Sequence, residues 1–169
     1  MFPEPLVAAR KLLEEITPLQ TDCGLVCGGA CCQTHPGEET GMLLFPGEAE
    51  MYRGEEGFTL VDSPHGTILV CEGRCSRVNR PLACRMFPLV MLLRPDGVKI
   101  ATDAAAQSVC PLARQGKSAL SQDFVAAVRQ AANLLAQDDQ QAAHLRRLTD
   151  MQDELKALRA QYRGRKEHV

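Results

Sequence analysis

The chain lacks the features that would place it in a membrane or send it out of the cell. Its first residues, MFPEPLVAARKLLEEI, carry Glu4 and Glu14 and offer neither a basic start nor an apolar h-region, so they do not read as a secretory signal. The longest clean apolar stretch is FPLVMLL, Phe87 to Leu93, far below the roughly 20 residues needed to span a bilayer. A soluble cytoplasmic protein with no membrane partner is therefore expected. An excess of charge is lacking too, since 19 basic and 21 acidic residues leave −2, which gives no global pull toward nucleic acid or anionic lipid. There is no internal repeat and no low-complexity segment. Also missing are a glycine-rich nucleotide loop, an HExxH motif and a convincing nucleophile with its base.

What the chain does have is cysteine, eight in 169 residues. That density is too low for a disulfide scaffold, and clustered thiols in a reducing cytosol more often hold metal than bridge. Four disulfides in an exported protein are the alternative. Cys31 and Cys32 count against it, because adjacent cysteines seldom bridge each other and each would need a distant partner.

The cysteines fall in three groups. TDCGLVCGGACCQTH holds Cys23, Cys27, Cys31 and Cys32; CEGRCSRVNRPLACR holds Cys71, Cys75 and Cys84; Cys110 stands alone before Pro111. Thiolate is a soft ligand suited to zinc or to an iron–sulfur cluster, and four of them complete a tetrahedral zinc shell at about 2.3 Å. Gly24, Gly28 and Gly29 suit a chain that must turn its side chains onto one ion. Buried cysteines that merely act as small hydrophobes are the plainer reading, but they explain neither the bunching nor the glycines. Eight thiols allow one site with spares, two sites, or one larger cluster, and the spacing does not choose among them.

Charge gives a second hint. Arg74, Arg77, Arg80, Arg85 and Arg94 follow one another with no acidic residue between them, while four thiolates around a divalent ion leave −2. Arg85, directly after Cys84, and Arg80 are expected beside the thiolates, tuning them. The alternative is a solvent-facing arginine stretch that meets RNA or phosphate, which predicts steeply salt-dependent binding. His35 is a further nitrogen-ligand candidate, against the plainer reading of an exposed loop histidine. His65, His144 and His168 have no ligand-like spacing to any cysteine.

Periodicity supplies the frame. PEPLVAARKLLEEIT puts Leu6, Leu12, Leu13 and Ile16 on one side of a helix opened by Pro3 and Pro5. GMLLFPGEAEMYRGEEG reads as a brief strand, a Pro-Gly break and one helical turn. GTILVC reads as a buried strand, and PLVMLLRPDGVKIATD as a β-hairpin turning at Pro95-Asp96-Gly97. Ser118 to Tyr162 contains neither glycine nor proline, which is helical composition, with QDDQQ (137–141) as a turn or kink. Leu148, Met151, Leu155, Leu158 and Tyr162 repeat at coiled-coil spacing, open to packing on the protein's own domain, to self-association or to a protein partner. The expected architecture is α+β: a cysteine-rich, metal-held domain over 1–117 and a helical extension over 118–169.

CGLVCGGACC followed by CEGRCSRVNRPLACRMFPL resembles the CxxCxxCC, or YkgJ-like, cysteine cluster family of zinc- or iron-chelating proteins. The later signature of that family matches Cys71, Cys75, Arg80, Pro81, Cys84, Arg85, Phe87 and Pro88, and the resemblance covers about Cys23 to Cys110. It implies a small bacterial or archaeal domain with a cysteine-bound metal. Each gap in the first motif holds three residues where the family pattern has two, which leaves open which of Cys27, Cys31 and Cys32 bind. The family includes a flagellin lysine methylase with a related motif, so the resemblance also admits a redox- or methyl-transfer-linked enzyme. A metal closed by four thiolates is the expectation; a metal with an open position facing a cleft would mark the enzyme.

Overall fold

A computed structural model describes residues 1–33, 41–73 and 75–166; His35, Arg74 and His168 lie outside them. Helix α1, Glu4–Leu12, begins behind Pro3, with Pro5 in its first turn, where the missing N–H of proline costs nothing. Glu4 in the first turn and Arg10 and Lys11 in the last complement the helix dipole. Leu6, Ala9 and Leu13 are fully buried, and full burial of a leucine contributes about 2 kcal/mol.

The short helix α2, Gly24–Cys27, lies within the first cysteine group. Strand β1, Met42–Leu43, then pairs with β3, Gly66–Cys71, which also pairs with β2, Phe58–Ser63; both pairings are antiparallel and the order is β1-β3-β2. The register sets Phe58 opposite Cys71 and Ser63 opposite Gly66, so Cys71 ends up at the far end of the hairpin from its turn. Between β1 and β2 a 3-10 turn, Glu48–Met51, follows Gly47. Gly47 has φ +85°, and a Cβ there would lie 2.8 Å from the Pro3 ring, so no other residue fits.

After α3, Leu82–Met86, strands β4, Leu89–Arg94, and β5, Gly97–Thr102, form the expected hairpin, with Arg94 opposite Gly97. Leu89 to Leu92 are all buried because helices cover the hairpin, which is why this run is continuously apolar instead of alternating. The short α4, Pro111–Gln115, leads to α5, Gln122–Leu135, and α6, Asp139–Lys166. The polar interruption between the last two is a turn: Asp138 accepts hydrogen bonds from the N–H groups of Gln140 and Gln141, both at 3.0 Å, and so caps α6.

One hydrophobic cluster draws residues from both sides of the expected boundary at residue 117: Leu6 and Leu13 from α1, Met86, Leu89 and Ile100 from the centre, and Phe124, Val128, Leu135 and Leu145 from the C-terminal helices. Helix α6 is also latched by polar groups. Thr149 Oγ1 accepts from the Leu93 N–H at 2.9 Å, supplying the hydrogen-bond partner that a neighbouring strand would give. Gln152 accepts from the Ala104 N–H at 2.9 Å, and Arg94 pairs with Asp153 at 2.6 and 2.7 Å. The coiled-coil spacing therefore divides. Leu148 packs against the core, whereas Leu158 and Tyr162 are 52% and 67% exposed.

Candidate metal centre

The first cysteine group is built from turns. Asp22 Oδ1 accepts from the Gly24 N–H at 3.0 Å, which starts α2; Cys23 precedes that helix and Cys27 ends it, its thiol pointing back to the Cys23 carbonyl at 3.6 Å. Gly28 and Gly29 are then both left-handed, at φ 66° and 70°, and reverse the chain into a 3-10 turn, Ala30–Cys32. Two successive left-handed residues are readily adopted by glycine alone. The reversal leaves the Cys31 and Cys32 sulfurs 4.0 Å apart.

The other cysteines come from three elements. Cys71 closes β3, Cys75 follows the turn through Gly73, and Cys84 lies in the middle of α3. Cys110 precedes α4, its N–H bonded to the Ala106 carbonyl at 2.8 Å and its side chain packed with Ala106 and Ala113. No disulfide links any of the eight.

Their mutual electrostatics show which thiols neighbour which. Burial pushes the Cys84 thiol up, and the charges of Cys75, Cys32 and Cys71 push it further. Burial also raises Cys75, helped by Cys71 and Cys32. Cys23 is raised by burial, by Asp22 and by the charges of Cys27 and Cys110. Cys31 is raised most, first by its contact with Cys32, then by burial, and then by Cys32, Cys23 and Cys27 as charges. Each of the eight thiols is therefore close enough to at least one other to influence, or be influenced by, its charge. Among the described residues, however, no three cysteine, histidine, aspartate or glutamate side chains already sit at metal-ligating distance.

The arginines sort themselves by their partners. Arg77 donates to the carbonyls of Glu14 and Ile16. Arg85, expected beside the thiolates, is held by three carbonyls, those of Arg80 at 2.9 Å, Arg10 at 2.8 Å and Val78 at 2.8 Å; it braces the turn that carries Arg80. The charge of Arg80 acts on the thiols, lowering the pKa of both Cys23 and Cys75 against the larger effect of burial. Its Nε is buried with no hydrogen-bond partner. A buried guanidinium N–H without an acceptor costs about 1–3 kcal/mol or more, and a thiolate beside it would offset both the charge and the orphaned donor. The donor set, soft and all sulfur, fits zinc or an iron–sulfur cluster.

A cavity of about 280 Å³ opens on the second cysteine group, lined by Cys71, Cys75, Glu56, Glu72, Phe58 and Asn79.

Sequence reasoning did not anticipate Glu48. It is fully buried, pairs with Arg10, and accepts from the Leu82 N–H at 2.7 Å and the Phe45 N–H at 3.2 Å. Burial raises its carboxyl, against the opposing pull of Arg10 and these two N–H groups. Tyr52, pushed up to about 12 by burial and the Glu48 charge, donates to the Asn79 carbonyl at 2.8 Å. The Glu48 network joins α1 to the start of α3, and so places Cys84. Nothing in GEAEM marks one glutamate as internal, because a carboxylate inside a short turn leaves no periodic trace. No protein-family model, curated protein or solved structure matches this chain.

Proposed function

We propose that the chain is a metal-binding protein of the cysteine cluster type, chelating zinc or an iron–sulfur cluster through Cys23, Cys27, Cys31, Cys32, Cys71, Cys75, Cys84 and Cys110. The observation that carries this reading is the buried, unpartnered Nε of Arg80 set among thiols that come from separate segments of the chain. The mutual influence of Cys32, Cys71, Cys75 and Cys84, and of Cys23, Cys27, Cys31 and Cys110, supports two four-thiol sets as one arrangement of these ligands. Metal binding closes the remaining distance and displaces thiol protons. A reducing, cytoplasmic compartment suits such a clustered thiol set. The exposed Leu158 and Tyr162 at the end of α6 offer a surface for self-association or a protein partner.

Anaerobic purification with elemental analysis and a visible spectrum tests the metal directly. Bound zinc, or iron with sulfide and a brown colour, is the expected result, and Cys84→Ser should lose it. Metal content unchanged in Cys84→Ser and Cys32→Ser together would defeat the reading.

A metal-dependent enzyme is the second reading, favoured by one observation, the cavity at Cys71 and Cys75 with Glu56 and Glu72 on its wall. X-ray absorption separates the two. Four sulfur neighbours mean a closed site, and three protein ligands with one exchangeable oxygen mean an open, catalytic one.

A further inference from the structure

Helix α6 carries a second cavity whose lining contains no cysteine. It measures about 420 Å³ and lies between the segment after β5 and the outer half of α6, lined by Thr102, Ala104, Gln107, Lys156, Arg159 and Arg163. That volume is within the roughly 300–1,000 Å³ of small-molecule sites. Lys156, Arg159 and Arg163 stand at i, i+3 and i+7, on one helical face, and among the described residues no carboxylate belongs to the lining.

Three like charges so spaced oppose helix formation, so their presence calls for a compensating charge. The helix dipole supplies one only within the last turn, which covers Arg163 but not Lys156 in a helix that runs to Lys166. Two neighbouring carboxylates, Asp103 and Asp153, have hydrogen-bond partners outside the lining. Asp103 accepts from Gln152 at 2.8 Å and from the Ala105 N–H at 2.8 Å. Asp153, which does feel Lys156, is paired in bidentate fashion with Arg94. Arg159 donates to the Ala104 carbonyl, which fixes its guanidinium on the wall. The Thr102 hydroxyl and Gln107 amide add uncharged hydrogen-bonding groups, and the Ala104 methyl adds an apolar contact.

We propose that this cleft binds a small oxyanion of two or more charges, a molecule bearing phosphate or several carboxylates, with Lys156, Arg159 and Arg163 as its ligands. No cysteine belongs to the lining, and the proposed ligands are not thiols.

Calorimetric titration of the intact protein with pyrophosphate and with citrate tests it, the two arms separating phosphate from carboxylate chemistry. Saturable one-to-one binding of at least one is expected, weakening as potassium chloride rises. Lys156→Gln and Arg163→Gln should each weaken it about fivefold, as expected of one exposed charge contact, and the double variant more, with the circular dichroism spectrum unchanged. Because both probes also chelate metal, heat that persists in the double variant belongs to metal removal and overturns the assignment. So does the absence of saturation at millimolar probe. An oligonucleotide that binds more tightly than either probe would overturn the small-molecule assignment in favour of nucleic acid.

Discussion

In the helical half of the molecule Phe124, Val128, Leu135 and Leu145 have no exposed surface, whereas around the thiols Leu25, Val26 and Val78 stand 81%, 63% and 67% exposed. The first region is held by apolar burial, roughly 25 cal/mol for each Å² removed from water. In the second, turns of three to five residues rely on left-handed glycines, on arginines that donate to carbonyls, and on the buried Glu48. A segment held in this way has little apolar surface left to bury, so its remaining order must come from elsewhere. Metal–sulfur bonds are the source proposed above, as in small domains whose binding energy is their folding energy.

The contrast can be broken most forcefully at Glu48. Glu48→Ala leaves Arg10 buried without its partner and two N–H groups without an acceptor, and should lower stability by about 3–5 kcal/mol, measured by urea unfolding. Hydrogen exchange in the same variant should quicken most in α3 and the Val78–Arg80 turn, and a loss confined to α5 and α6 would contradict the placement of Glu48. Zinc should act on the opposite side of the comparison. At a hundredfold excess over its Kd it stabilises by about 2.7 kcal/mol, and exchange protection should appear around residues 23–32 and 71–84 with little change in the centre of α5.

The helical core has its own weak point in His144, which is buried against Phe45 at 4.8 Å between ring centroids, with Nε2 unpartnered. Burial, with the charge of Arg147, lowers it from 6.5 to about 4. The folded state therefore keeps it neutral while the unfolded chain takes up a proton. Stability present above about pH 6.5 is lost as pH falls toward 4, by about 3 kcal/mol for a shift of this size. His144→Phe should flatten that slope in a pH series of unfolding curves. The smallest effect belongs to the exposed Arg94–Asp153 pair. Asp153→Asn should leave Tm within the scatter of ordinary surface substitutions, since exposed ion pairs contribute little.

Much of the frame was legible in the order of residues. Gly66–Cys71 is a strand because β-branched and apolar side chains fill it, Arg94 to Gly97 turns because proline and glycine set its dihedrals, and residues 122–135 and 139–162 are helical because they hold neither glycine nor proline. Helix α1 starts and buries its face where Pro3, Pro5, Leu6 and Leu13 put it. The site was legible only as a set of residue types. Cys32 influences Cys84 across some fifty positions, and Arg85 donates to three carbonyls while the charge of Arg80 acts on Cys75. Adjacent or equally charged residues look alike in a sequence when their directions depend on long-range packing.

The sequence by itself determined the local elements, because helix periodicity, turn chemistry and strand propensity act over a few residues. It also determined the supply of eight thiols. Only the tertiary structure decided which thiols became neighbours, which arginine was left with an unpaired buried N–H, which glutamate went inside, and that three cations of α6 would line one cleft. Those outcomes depend on contacts between residues far apart in the chain, and such contacts exist only once the α1–α5 and α6–β4 packing has closed.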